Sequence, residues 1–297
     1  MSPSSPIVVL DSGLGGLTVV KALRTALPEE EIIYFGDTAR LPYGSKTALT
    51  VTTFVRQIIE FLRPHDPKHV VIACNTATAL SLPMIRCAFP ELCITGVIDP
   101  GAKAAVAAAG TKQVPTIGVI ATEATVRSKA YETAIHRRRQ HARLIQQRTP
   151  LLVPIIEEGR TGSDPLVKLA LRQYLEPLCR YGIDVLVLGC THYPILKDAI
   201  VETVGPKISV IDSAEQCAQD VAHRLKARGL IARQAWSDKA GAISNLRTFV
   251  TDDPARFKKL ASRLLGFEID LPALVPPDEL YWERRTGPVP IPIPIPA

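Results

Sequence analysis

Val70-Val71-Ile72-Ala73-Cys74-Asn75-Thr76 is an aliphatic run that ends in a thiol and two small polar residues. The second half of the chain states the same pattern as Val185-Leu186-Val187-Leu188-Gly189-Cys190-Thr191-His192. Short continuous apolar runs of this kind predict strands buried on both faces, as in parallel sheets covered by helices. Ile7–Leu10, Ile32–Phe35, Ile94–Ile98, Ile117–Ile120 and Ile208–Ile211 read the same way. Between the runs, apolar residues fall at helical spacing. Val51, Phe54, Val55, Ile58, Ile59 and Leu62 form one such stripe, and Val167, Leu171, Tyr174, Leu175 and Leu178 another. Alternation of strand and helix predicts an α/β architecture.

Each cysteine-bearing strand also has a counterpart upstream. Ile7-Val8-Val9-Leu10-Asp11-Ser12 precedes Cys74 by about the distance at which Ile117-Gly118-Val119-Ile120-Ala121-Thr122 precedes Cys190. Asp11 to Cys74 is 63 positions and Thr122 to Cys190 is 68. The chain is therefore expected to hold two related α/β domains. Residues 1–98 with 212–268 form the first and residues 99–211 the second, with crossovers near Asp99-Pro100 and Asp212-Ser213. Residues 269–297 are expected to form an extended tail. Its end, GPVPIPIPIPA, alternates prolines that forbid a helix and favour polyproline II.

Composition bounds the function classes. Apolar residues make up 46% and charged residues 22% of 297, as in soluble globular proteins. No apolar run approaches the roughly 18 residues of a membrane span. Met1 to Pro6 has neither a basic start nor an apolar stretch, so no secretion signal is expected and the cytoplasm is the expected compartment. The net charge of +6 invites a nucleic-acid reading. The basic residues are scattered, however, except in His136–Arg143, which reads as a solvated helix face or turn. Aromatics amount to 5% and do not interleave with the basic residues, so no nucleic-acid partner is expected.

The six cysteines form no C-x-x-C pair, which argues against a zinc ribbon or redox dithiol. A free cysteine is ordinarily a small buried hydrophobe, and Cys87, Cys93, Cys179 and Cys217 are read that way. Cys74 and Cys190 differ because each closes a strand. Ligands of open parallel sheets bind outside the carboxyl ends of the strands. Asp11-Ser12, Cys74-Asn75-Thr76, Thr122 and Cys190-Thr191-His192 all fall at such ends. Two domains facing each other would set the two thiols on opposite sides of one small ligand. Inverting a carbon centre by proton transfer needs a base on one face and an acid on the other. Thiols suit that task, because a pKa of roughly 8.5 lets either form exist near neutrality. His192 is placed to exchange a proton with Cys190. Asp11 is placed to do so near Cys74, or to hold an ammonium group.

Two loops are further candidates. Asp11-Ser12-Gly13-Leu14-Gly15-Gly16 lacks the spacing of a dinucleotide loop. It reads as a tight turn whose amides and Ser12 hydroxyl hold a carboxylate, or as an ordinary glycine turn. Gly36–Ser45 lies before a helix expected to start near Ser45. Tyr43, Gly44 and Ser45 can offer donors to a carboxylate there, or merely form a capped turn. Glu157 and Glu158 read, on residues alone, as a solvated helix end. His192 and Cys190 have no evident third or fourth metal ligand, and no lysine is marked as a Schiff-base former, so no metal or cofactor is expected. A binding module for acidic amino acids and a nucleotide-linked oxidoreductase are the alternatives. The first needs neither thiol, and the incomplete glycine loop speaks against the second.

Several of these stretches resemble bacterial glutamate racemases, of the aspartate/glutamate racemase family. They are Asp11-Ser12-Gly13-Leu14-Gly15-Gly16, Phe35 to Gly44, Ala73 to Thr78, Val153-Pro154-Ile155-Ile156-Glu157 and Leu188 to Pro194, and the likeness runs from about Ile7 to about Gly266. The resemblance implies two pseudosymmetric, flavodoxin-like domains with parallel sheets and the active site in the cleft between them. It implies cofactor-independent interconversion of L- and D-glutamate, which supplies peptidoglycan synthesis, and a homodimer. Residue by residue it implies Cys74 acting on the D-enantiomer and Cys190 on the L-enantiomer, with Asp11, Glu157 and His192 as supporting acid–base groups. Asp11, Ser12, Tyr43, Gly44, Asn75, Thr76, Thr191 and His192 fall on substrate contacts, and Thr122 and Thr125 on a threonine pair near the substrate. Aspartate and hydantoin racemases share the paired-cysteine logic, but the long Gly36–Gly44 motif favours glutamate.

Overall fold

The computed structural model describes residues 2–232 and 245–280. Four strands open the chain, β1 (Ile7–Asp11), β2 (Ile32–Gly36), β3 (His69–Ile72) and β4 (Ile94–Gly96). Four more follow, β5 (Thr116–Ala121), β6 (Arg143–Arg148), β7 (Val185–Gly189) and β8 (Ser209–Asp212). Then β9 (Leu246–Val250) and β10 (Ala273–Leu274) rejoin the first group. Two sheets result, ordered β10-β9-β2-β1-β3-β4 and β6-β5-β7-β8. Every pairing in both is parallel. The opening strand of each group is central, its second strand lies on one side and its third and fourth on the other. The molecule is thus a two-domain α/β fold.

Parallel strands need helical crossovers, which cover both faces and make the central strands apolar throughout. β1, β2, β5 and β7 are buried along their whole lengths. Their side chains alternate between faces. Ile7 and Val9 join one core, Val8 and Leu10 the other. In the second sheet, Leu186 and Leu188 face one core, Val185 and Val187 the other. Each fully buried aliphatic side chain contributes roughly 1.5–3 kcal/mol of transfer free energy. Helix Ala48–Leu62 turns Val51, Val55, Ile58, Ile59 and Leu62 inward, and helix Pro165–Arg180 starts with a proline behind the Asp164 cap. Helix Ile98–Ala108 carries the chain out of β4, and helix Ser213–Ala227 carries it back from β8. These two crossovers pack on each other.

Several expectations are corrected. β4 ends at Gly96, and Val97-Ile98 turns into a helix, because Asp99 and Pro100 suit a first helical turn better than a strand. The helix after the Gly36–Ser45 loop is capped by Thr47, which accepts the Thr50 amide at 3.2 Å, and not by Ser45. Residues 269–280 do not begin an extended tail. β10 pairs with β9, Ile269 packs in one core of the first sheet, and Val275 and Leu280 pack in the other. Their apolar side chains recur between the prolines and find buried sites. GPVPIPIPIPA lies outside the described residues. The basic stretch is, as expected, mainly a helix end and a turn: His136 closes helix Ala130–His136, and only the stretch's last residue, Arg143, enters β6. Arg137 and Arg138 grip Asp99 at 2.8 and 2.6 Å. Of the four cysteines assigned to packing, Cys217 is in a core, Cys93 and Cys179 are half-buried, and Cys87 is exposed on the outer face of helix Asn75–Ala88. Among the described residues no helix is long and apolar enough to cross a membrane.

Candidate active site

The carboxyl ends of the central strands of both sheets converge on one cavity of about 150 Å³. Ser12 follows β1, Cys74-Asn75-Thr76 follows β3, Thr122 follows β5 and Cys190-Thr191-His192 follows β7; all of them line it. Tyr43 and Gly44 line it too. Asp11 and Thr125 are buried beside it at 1% and 0% exposure, and Glu157 reaches it through His192. The cavity therefore draws Cys74 from the first sheet and Cys190 from the second, each 6% exposed.

Cys74 caps helix Asn75–Ala88, and the Ala77 amide donates to its sulfur at 3.5 Å. Burial pushes its thiol up to about 12, the Asp11 carboxylate adds to the rise, and the Ala77 amide and Ser12 hydroxyl pull against it. Cys74 is therefore a thiol near neutral pH. Cys190 stands in a chain of contacts. Its Sγ lies 3.7 Å from His192 Nδ1, and His192 Nε2 lies 2.6 Å from Glu157 Oε1. Burial disfavours the His192 imidazolium, but Cys190 and Glu157 outweigh burial and hold it well above the usual histidine range. Burial likewise pushes Glu157 up, and the His192 contact pulls it below its usual range. The pair is a buried imidazolium, backed by a half-buried carboxylate, beside the Cys190 sulfur. Glu157 is thus no solvated helix end, whereas its neighbour Glu158 is exposed and pairs with Arg160.

Asp11 accepts from the Gly13 amide at 3.0 Å and from the Thr191 hydroxyl at 3.3 Å. Burial raises its pKa, with His192 and the Gly13 amide opposing. The glycine loop does hold carboxylates, but the ones present are the protein's own. Gly13 binds Asp11, and the Leu14 amide faces Glu157 at 3.5 Å. Gly15 leaves no room for a side chain against His192: a Cβ on it would lie 2.4 Å from His192 Nδ1. Thr76, Thr122 and Thr125 form a triangle of hydroxyls with Oγ1 separations of 2.8, 3.3 and 2.9 Å. The Tyr43 hydroxyl, expected to face a ligand, donates instead to Asp37. Asp37 is fully buried and also binds Arg40, so it is the stronger acceptor.

The sequence profile of the family described as Asp/Glu/Hydantoin racemase matches residues 17–221. The chain belongs to the Asp/Glu/hydantoin racemase family. A glutamate racemase of Chlorobaculum tepidum is 42% identical over 269 residues, 91% of this chain and 95% of that protein. A solved glutamate racemase isoform of Bacillus anthracis superposes with a TM-score of 0.83 at 36% identity, covering 91% of this chain and 97% of its own. Glutamate racemase of Francisella tularensis, solved in complex with D-glutamate, gives 0.81 at 34% identity, covering 92% and 98%.

The cavity thus brings together two sulfurs, one from the end of a strand in each sheet, with His192 beside one of them. Sequence reasoning missed Thr149 and Pro150, which also line the cavity. They follow β6, a strand that goes unseen because it has no apolar run. Thr149 shares a hydrogen bond with the Tyr193 hydroxyl beneath Cys190. Tyr131 was missed as well. It lies under the cavity, and nothing in its local sequence sets it apart.

Proposed function

We propose that this chain interconverts L- and D-glutamate without a cofactor, passing the α-proton between two thiols. One observation carries the proposal: Cys74 and Cys190 leave different sheets and line the same small cavity. The likeness to glutamate racemases along about nine-tenths of the chain supports glutamate as the substrate. Cys190, with His192 Nδ1 3.7 Å from its sulfur, takes the α-proton of L-glutamate as a thiolate; an S–H bond forms as the C–H bond breaks. The electron pair left on carbon then takes the Cys74 proton from the opposite face. The products are D-glutamate, a Cys190 thiol and a Cys74 thiolate, and D-glutamate runs the same path in reverse. The starting forms return when the Cys190 thiol passes its proton to His192 as His192 gives its own up through Glu157 to solvent, and a proton taken up from solvent passes by way of Asp11 to the Cys74 thiolate. Ser12, Asn75, Thr76, Thr191 and His192 contact the carboxylates and ammonium, Tyr43 and Gly44 form a wall, and Thr122 and Thr125 act through Thr76.

The catalytic unit consists of a first domain of 1–98 and 212–280 and a second of 99–211, acts in the cytoplasm as a homodimer, and supplies D-glutamate for peptidoglycan. Light scattering during gel filtration tests the dimer. The chemistry is tested by following circular dichroism of D-glutamate, L-glutamate and both aspartates in D2O. Glutamate, not aspartate, is expected to racemise and to gain deuterium at the α-carbon. Cys74→Ala and Cys190→Ala are each expected to abolish racemisation. Racemisation without exchange, or full activity in either variant, would overturn the mechanism. Preference for aspartate would favour an aspartate racemase instead.

A further inference from the structure

Asn75 lines the cavity and is 2% exposed. The two ends of its amide are treated differently. Oδ1 accepts a hydrogen bond from the Tyr131 hydroxyl at 2.8 Å. Nδ2 is buried and has no hydrogen-bond partner among the described residues. A buried amide NH2 left without a partner is costly, so a native structure that keeps one is built to pair it with something else. With Oδ1 committed to Tyr131, the amide can present only its two N–H donors to a bound molecule. Those donors match a carboxylate and not an ammonium group.

Tyr131 is itself held rigidly. It is fully buried in helix Ala130–His136 of the second domain, among Ile98, Ala102 and Val187. Its hydroxyl sits where both crossovers pass. A Cβ on Gly101, in the outgoing crossover, would lie 3.5 Å from that hydroxyl and 3.1 Å from Cβ of Ser213, the first residue of the returning one. Asn75 belongs to the first sheet's side of the cavity and Tyr131 to the second's. Their hydrogen bond therefore joins the two sheets' sides of the cavity at the crossovers.

We infer that Tyr131 is a positioning residue: from the second domain it fixes the Asn75 amide with its N–H donors turned toward a substrate carboxylate. Carboxylate recognition in the first domain is thereby tied to the seating of the second domain. Tyr131 touches no reacting atom and acts only through Asn75. The inference rests on glutamate being the substrate.

Tyr131→Phe removes the hydroxyl and keeps the ring that fills the core. It is expected to raise KM for both glutamate enantiomers about tenfold, the loss of one oriented hydrogen bond, with kcat kept within about threefold. Asn75→Ala should raise KM at least as much. In the Asn75→Ala background, Tyr131→Phe should change KM no further, because its only route to the substrate is gone. A purely structural role would lower Tm and leave KM alone. Unchanged KM in Tyr131→Phe, or effects of the two substitutions that simply add, would overturn the positioning role while wild-type racemisation stands. Wild-type enzyme that racemises no glutamate in the same assay would overturn the substrate assignment and this inference with it. Should Tyr131→Phe fail to fold, an unchanged KM in Asn75→Ala overturns the positioning role equally.

Discussion

Glu157 and Glu158 are neighbours with opposite environments. One is half-buried and paired with His192 at 2.6 Å, and the other points to solvent. Removing the Glu157 charge takes away a main support of the His192 imidazolium. In Glu157→Gln the alkaline limb of kcat/KM for L-glutamate is expected at lower pH than in wild type, with kcat reduced at neutral pH. A pH–rate profile that does not move would exclude His192 as the group responsible. Stability follows the same pair. Glu157 titrates below its ordinary 4.5 in the fold, so its contribution is complete above 4.5 and fades as pH falls through the folded value. His192 titrates above its ordinary 6.5, so its contribution is complete below 6.5 and fades as pH rises through the folded value. Between 4.5 and 6.5 both are in force. The Tm deficit of Glu157→Gln is expected to be largest in that window and to shrink on either side.

Among elements, the turn between β1 and helix Leu17–Ala26 has the least room. Gly15 does not adopt the left-handed backbone region, so alanine meets no backbone strain there. Its Cβ would instead meet His192 and, at 2.7 Å, the Thr191 hydroxyl. Gly15→Ala is expected to displace the imidazole from Cys190 and to lower kcat about 100-fold, since displacements near 1 Å cost that much in a positioned site. Steady-state kinetics with a Tm measurement checks this. Loss of fold in place of rate would mean that the contact is structural. Legibility in the sequence also divides by element. β1, β3, β5 and β7 are continuous apolar runs and stand out. β6 is a half-exposed edge of sequence RLIQQR, and β9 alternates buried and exposed residues. Neither forms an apolar run, so neither is legible as a strand, and Thr149 at the end of β6 is lost with it.

At the scale of the whole molecule, the amino edge of the first sheet is anchored by a buried ion pair. Lys68, just before β3, binds Glu30, just before β2, with both side chains almost wholly buried. Lys68 also donates to the Pro3 carbonyl at 2.5 Å, and Glu30 accepts from the Ala232 amide at 2.9 Å. Lys68→Met strands a carboxylate in the interior and is expected to cost about 3–5 kcal/mol in chemical denaturation, whereas Lys68→Met/Glu30→Met together should cost clearly less. A double variant no better than the single one would show that packing, not charge, sets the loss.

The alternation of apolar runs and helical stripes was enough to determine the α/β class, the parallel sheets and the strand ends that carry Cys74 and Cys190. These are local properties, because burial on both faces dictates the residue types of each central strand wherever its partners lie. Only the tertiary structure decided which side chains share the cavity. Glu157 under His192, Tyr131 under Asn75 and Asp37 on Tyr43 are pairs distant along the chain or directed by local geometry. Such contacts depend on how two domains seat against each other, and no periodicity of residues records that.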